Sequence, residues 1–321
     1  MSTEQKEIDS GFGYRSTARE VIAAADVNGK TVMITGGYSG LGLETASAFA
    51  EAGANVIVPA RRVDHAKAEL AGIGGNIEVD ELDLGDQKSV EVFATRFLAS
   101  GRAIDIMINN AAVMACPEAR VGSGWESQFG INHLGHYALV NRLWPAIKEG
   151  GGRVVALSST GHKLSPMRFD DPQFEKTGSY EKWAAYGQAK TANSLFAVGL
   201  DKRAQADGVR AFAVHPGGIM TPLQRHLPKE EMIAAGWMDA DGKVNELFKT
   251  PEEGASTTCW AATASKLDGM GGVYCENCDI ADAVTDTPNR FGGVDAHAVD
   301  KEAAEKLWAL SAELTGVDAF G

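Results

Sequence analysis

Basic charge is scarce in this chain: 30 Lys and Arg stand against 43 Asp and Glu, a formal net charge of −13. Sequence-independent binding to nucleic acid or to an anionic lipid surface needs a basic face, so the composition argues against both. The same deficit would repel a phosphorylated ligand unless cations gather locally. Cysteine is also sparse. Cys116, Cys259, Cys275 and Cys278 are scattered through 321 residues and do not frame a small domain, which predicts reduced thiols. No uninterrupted apolar run approaches membrane-spanning length. The opening Met-Ser-Thr-Glu-Gln-Lys-Glu has no apolar core to serve as a signal peptide. Together these absences predict a soluble, cytoplasmic protein with no nucleic-acid or membrane partner.

What is present is a rhythm. Short β-branched runs at Thr31–Thr35, Asn55–Pro59, Ile77–Asp83, Asp105–Asn109, Gly152–Ser158 and Val209–His215 read as strands. Between them Gly42–Ala52, Val63–Leu70, Gln87–Ala99, Trp125–Ile147 and Trp183–Ala206 read as helices. A further strand is expected near Gly272–Cys275 and a closing helix at Val299–Leu314. Strands apolar throughout and separated by helices predict one doubly wound α/β domain. Its parallel sheet would have about seven strands with helices on both faces, and ligands would sit at the strands' carboxyl ends. Residues 1–28 precede this domain as an N-terminal arm, partly helical from Thr17 to Ala25, and the domain itself runs from 29 to 321. Residues 219–250 break the rhythm with prolines, glycines and large apolar side chains. They read as a substrate lid, against the alternative of a plain surface excursion. Their Met220, Leu223, Leu227, Met232, Trp237, Leu247 and Phe248 would then wall an apolar pocket, or else form the insertion's own core.

The first strand runs into Thr35-Gly36-Gly37-Tyr38-Ser39-Gly40-Leu41-Gly42 and then a helix. Glycines at 36, 40 and 42 allow a tight turn and close backbone approach, and a helix start offers free amides to a pyrophosphate. The spacing is G-x-x-x-G-x-G, not the commoner G-x-G-x-x-G. After strand two the acid that would read an NAD ribose is missing, and Arg61 and Arg62 stand in its place. A guanidinium suits a 2′-phosphate, which predicts NADP(H) over NAD(H); alternatively the two arginines merely solvate a helix start. Farther on, Tyr186 and Lys190 lie four apart in a helix-forming run, on one helical face. An ammonium beside a phenol lowers its pKa from the usual value of about 10, so Tyr186 could exchange a proton with a substrate oxygen.

On these residues the chain resembles the short-chain dehydrogenase/reductase family over nearly its whole length, and within it the branch of retinol dehydrogenases and the WW-domain oxidoreductase. The glycine turn, Asp83, the run Asn109-Asn110-Ala111-Ala112 and the segment Pro216–Thr221 match its cofactor motifs in order. The arm Phe12–Ala18, the run Ile131–His136, the late Gly272–Cys275 and the 27-residue interval from Ser159 to Tyr186 are similar to that branch. The resemblance implies a Rossmann-type fold with Asn132, Ser159, Tyr186 and Lys190 as a catalytic tetrad. It implies cofactor contacts from Gly36, Tyr38, Ser39, Gly40, Leu41, Gly42, Asp83, Leu84, Asn110, Ala111, Tyr186, Lys190, Pro216, Gly217, Ile219 and Thr221, beside Arg61 and Arg62. Two departures are Ala112, where the family has Gly, and Tyr38, at a turn position usually small or polar.

By that resemblance Tyr186 is the general acid or base and Lys190 lowers its pKa and holds the ribose. Ser159 polarises the substrate carbonyl while Ser158 packs or caps, and the Asn132 backbone faces a water leading from Lys190 to solvent. The activity implied is hydride transfer between NADP(H) and a carbonyl or alcohol of a hydrophobic small molecule. The alternatives are reduction of a carbon–carbon double bond, or a non-catalytic dinucleotide sensor on the same scaffold. A homo-oligomer, dimer or tetramer, would pair through the helices at 125–147 and 183–206, with Ala184, Ala185, Ala189, Ala192 and Ala197 allowing close packing. His133, His136 and His215 match no metal spacing and read as structural. Cys275-Glu276-Asn277-Cys278 has no second pair to complete a zinc site and reads as a packed turn.

Overall fold

The computed structural model describes residues 3–284 and 292–321; the first two residues of the arm lie outside that range. The apolar runs form β1 (Thr31–Ile34), β2 (Asn55–Ala60), β3 (Asn76–Glu81), β4 (Ile106–Asn109), β5 (Arg153–Leu157), β6 (Arg210–His215) and β7 (Val273–Glu276). With the short β8 (Asp279–Ile280) they make one sheet of eight strands in the order β8-β7-β6-β5-β4-β1-β2-β3. All pairs are parallel except β7 with β8, an antiparallel edge. The order reverses between β1 and β4, and a doubly wound sheet opens its binding crevice at that point.

Alternation along the central strands feeds two cores, because successive side chains point to opposite faces. Val32 and Ile34 pack with the helices α1 (Ala18–Ala23), α2 (Gly40–Glu51) and the later Pro251–Thr263. Met33 faces the other way. It joins a core shared by α3 (Gln87–Ala99), α4 (Gly135–Arg142), α5 (Lys182–Ala204) and the C-terminal α6 (Lys301–Thr315). A further short helix, Val63–Leu70, follows β2.

The arm is built into the domain. Ala18, Val21 and Ile22 are buried in the first core, and Thr17 closes a capping box at the helix start. The Gln5 side-chain amide bonds Tyr274 and Ala281 along the last strands, and Asp279 accepts from the N–H groups of Ile8 and Ser10. The arm thereby covers a sheet edge whose backbone would otherwise need a partner.

Two expectations change. The helix expected over 125–147 is interrupted: Trp125–Glu126 pairs with Arg120–Val121, a π-turn occupies Gly130–Leu134, and a separate helix starts at Trp144. Pro145 in that helix's first turn lacks the N–H a continuous helix would require. The insertion is partly helical, at Pro222–His226 and Lys229–Ala234. Finally, Ala185, Ala189, Ala192 and Ala197 are buried within the chain itself. Ala192 and Leu195 lie under Ala304 and Leu307 of α6, and Trp308 stacks on Phe196.

Candidate active site

A single cleft of about 1930 Å³ runs along the carboxyl ends of the strands at the switch point. One end is lined by Gly36, Tyr38, Ser39, Gly40, Leu41, Arg61 and Arg62. Helix α2 begins there with Ser39, whose side chain makes no cap bond, so its first amides and positive dipole end are left for a ligand. Gly42 does not reach the cleft. A Cβ there would come 2.2 Å from the Gly36 carbonyl oxygen and 2.5 Å from Asn110 Nδ2, so it lets the helix seat on the turn. Among the described residues Arg61 makes only a loose ion pair, 4.0 Å to Asp83, and Arg62 makes none. Two cations so little engaged offset the chain's acidity where a phosphate would arrive. Tyr38 packs edge-on to His65 at 5.9 Å, and both line this end. Sequence reading passed over His65 because a histidine on a short exposed helix carries no signal of its own.

Asn110, Ala111, Pro216, Gly217, Ile219 and Thr221 line the middle of the cleft. Asp83, Leu84 and Asn132 stand behind it. Asp83 accepts from the Gly85 N–H at 2.9 Å and Leu84 is buried against Gly135. Asn132, fully buried in the π-turn, donates to the Val113 carbonyl (2.9 Å) and accepts from the Val113 N–H (2.8 Å). A π-turn inside a helix commonly marks a functional position.

Tyr186, Lys190, Ser158 and Ser159 meet in the cleft wall. The two serines divide their work. Ser158 donates to the Lys190 carbonyl at 2.8 Å and accepts from Ser194 at 2.9 Å, which fixes strand end to helix. The Ser159 hydroxyl accepts from the Gly161 N–H at 3.0 Å and favours the ionised form of the Tyr186 phenol. Gly161 was not foreseen: a Cβ on it would lie 2.7 Å from Tyr186 Cε1, so a glycine is what admits the phenol. Lys190 Nζ donates to the Leu157 carbonyl at 2.8 Å and sits 5.6 Å from the Tyr186 ring centre.

Here the electrostatics differ from the expectation drawn from spacing. Burial pushes the Tyr186 phenol up to about 12, with the Ser159 hydroxyl opposing, and burial brings the Lys190 ammonium down to about 7. Desolvation of both groups outweighs the lysine's field on the phenol.

Beyond Tyr186 the cleft becomes apolar. Met114, Trp183, Leu223, Leu227, Met232 and Trp237 cluster against the phenol and line the space. Four of these come from the insertion, whose Leu247 and Phe248 also line the cleft while Met220 does not. The insertion is tied down at two points. Glu231 accepts from Lys182 Nζ at 2.6 Å and from the Trp183 indole at 2.7 Å, and Arg15 of the arm donates to the carbonyls of Glu246 and Phe248. Cys275 and Cys278 are buried free thiols, and burial raises the pKa of each. Among the described residues no group of His, Cys, Asp and Glu is arranged to hold a metal ion, and no helix is long and apolar enough to cross a membrane.

A doubly wound sheet with an open helix start at its switch point, beside a buried tyrosine and lysine, defines a dinucleotide-binding oxidoreductase scaffold. Residues 30–169 match the family model for short chain dehydrogenase. A protein of Streptomyces lividans described as an oxidoreductase is 43% identical over 296 residues, covering 90% of this chain and 98% of that one. Retinol dehydrogenase 12 of Mus musculus is 38% identical over 297 residues, 91% of this chain and 88% of its own. A crystal structure of a Mycobacterium paratuberculosis protein superposes with a TM-score of 0.73 at 33% identity, covering 96% of this chain and 99% of that one. The chain belongs to the short-chain dehydrogenase/reductase family, whose members bind a nicotinamide dinucleotide.

Proposed function

We propose that this protein is an NADP(H)-dependent oxidoreductase that moves hydride between nicotinamide and a carbonyl or alcohol carbon of a hydrophobic small molecule. One observation carries the reading. The cleft that starts at Arg61 and Arg62 passes the Gly36–Leu41 turn, reaches Tyr186 and Ser159, and ends against the apolar wall of Met114, Trp183 and Trp237. Bound there, the cofactor would supply the hydride.

The chain's own residues handle position and proton. The α2 amides, Asn110 and Ala111 would hold the dinucleotide's phosphates and riboses, and Arg61 and Arg62 its 2′-phosphate. Ser159 would bond the substrate oxygen and stabilise the negative charge that grows on it. Tyr186 would give that oxygen its proton in reduction and take one back, as phenolate, in oxidation. A phenol held near 12 is protonated at neutral pH and still a stronger acid than the alcohol it forms, which favours proton donation. Lys190 would hold the ribose and return a proton to the phenolate. The apolar wall supports a hydrophobic substrate, as does the likeness to a retinol dehydrogenase.

The test is NADPH consumption by purified protein against a panel of hydrophobic aldehydes and ketones, with Tyr186→Phe alongside. Turnover that vanishes in the variant is the expected result. Silence across the panel with NADPH tightly bound would overturn it in favour of double-bond reduction or a sensing role.

A further inference from the structure

His136 lies one turn beyond Asn132, is 3% exposed, and has no part in the chemistry above. Its ring makes two short contacts: Nδ1 to the Asn132 carbonyl oxygen at 2.9 Å and Nε2 to the Thr35 hydroxyl at 2.8 Å. Each contact fixes a proton. A carbonyl only accepts, so Nδ1 carries hydrogen and donates. Thr35 Oγ1 already accepts the N–H groups of Asn110 (2.9 Å) and Ala111 (3.0 Å), which uses both of its lone pairs. Its own proton must therefore go outward. The Ile108 carbonyl is 3.4 Å away and already receives the Thr35 N–H at 3.1 Å, whereas His136 Nε2 is at 2.8 Å. Both ends thus require the same neutral tautomer, with Nδ1 protonated and Nε2 bare. Burial, which brings this imidazole down to about 4, keeps it neutral, and the nearby Lys190 charge acts in the same direction.

The bonds form a continuous path: Asn110 and Ala111 to Thr35, Thr35 to His136, His136 to Asn132. Its first members line the cofactor part of the cleft. Its last member clamps Val113, next to Met114 of the apolar wall. We propose that His136 is a positioning residue that ties the dinucleotide-binding turn to the π-turn of Asn132, so that the seating of the cofactor sets the Asn132 carbonyl. The inference rests on the reading of the cleft as a dinucleotide site. Glutamine can stand in for the imidazole, since its amide offers one donor and one acceptor at nearly the spacing of the ring nitrogens. Leucine offers neither.

Histidine 15N NMR of the full chain, with His136 assigned by its loss in His136→Gln, reads the tautomer directly. The expected spectrum shows a neutral ring protonated at Nδ1, whose signal moves when NADP+ is added although the ring does not line the cleft. In turnover, His136→Leu should lose about tenfold in kcat with the NADPH Kd changed less than about twofold, and His136→Gln should recover most of it. An Nε2-protonated ring, a signal unmoved by bound NADP+, or a folded His136→Leu with wild-type kcat would overturn the proposal. So would a glutamine variant as impaired as leucine at equal thermal stability. If NADP+ binds but no substrate turns over, the functional reading falls while the two NMR outcomes still decide this one.

Discussion

Gly161→Ala probes the geometry of the reacting pair without removing either partner. The new methyl carbon would stand 2.7 Å from Tyr186 Cε1 and 3.0 Å from Cδ1, where ordinary contact begins at about 3.4 Å. Something must retreat by roughly 0.7 Å. The backbone at 161 does not have a positive φ, so alanine adds no conformational strain. The turn is also pinned, because Thr191 on the catalytic helix bonds the carbonyls of both His162 and Ser165. The phenol is therefore the part that yields, and it swings away from the hydroxyl of Ser159. A misplacement near 1 Å costs on the order of a hundredfold in rate, so kcat should fall about 10- to 100-fold. Overpacking of this size costs about 1–3 kcal/mol, a loss visible as a lowered Tm in a protein that still folds. The NADPH Kd, measured by fluorescence titration, should change less than about twofold, because Gly161 is remote from the α2 amides. A folded variant with wild-type kcat would refute the argument, since the phenol's place against Ser159 would then not govern turnover.

Tyr186→Phe should lower turnover at least about a hundredfold while cofactor affinity stays near normal, and near-normal turnover would remove it as the acid. Arg61→Ala and Arg62→Ala should each weaken NADPH about tenfold or more and leave NADH unaffected; similar dissociation constants for both cofactors, insensitive to either change, would disprove the 2′-phosphate role. Glu231→Ala removes the tie to Lys182 and Trp183, so KM for a hydrophobic substrate should rise about three- to tenfold at unchanged kcat; an unchanged KM would show that the tie does not shape the pocket. For Lys190, the unfolded chain keeps its proton up to the ordinary value of 10.5 while the folded one releases it near 7. Across that window the unfolded state binds more protons, so this group makes stability rise with pH. Denaturant titrations between about pH 7 and 9 should therefore show a flatter profile for Lys190→Met than for wild type, and identical slopes would contradict the assigned shift.

All but the edge strand β3 were readable because they are largely apolar on both faces, and that pattern is nearly specific to a sheet covered on two sides. Glycine turn, arginines, serine, tyrosine and lysine were readable because each sits at a strand end or helix start that the rhythm had already located. The π-turn at Gly130–Leu134 was not, because over five residues its apolar spacing hardly differs from that of an α-helix. The alanines of the catalytic helix were read as a face for another subunit. Small residues permit close packing without naming the partner, and for Ala192 one partner is the chain's own C-terminal helix. Gly161 and Gln5 carried no periodic signal at all; what makes each matter is a contact with a distant residue, Tyr186 for one and Tyr274 for the other.

Spacing along a helix fixes which groups are neighbours, but the state of those groups depends on depth. The four-residue spacing of Tyr186 and Lys190 suggested an ammonium drawing down a phenol. In the fold the ammonium turns toward the Leu157 carbonyl, the two groups are both buried, and each moves away from its charged form. The result is a protonated phenol beside an amine that titrates near neutrality, which is the arrangement of a proton donor with a source of replacement next to it. Burial thus reverses the expected direction of the tyrosine's shift while the two groups stay side by side in the cleft wall.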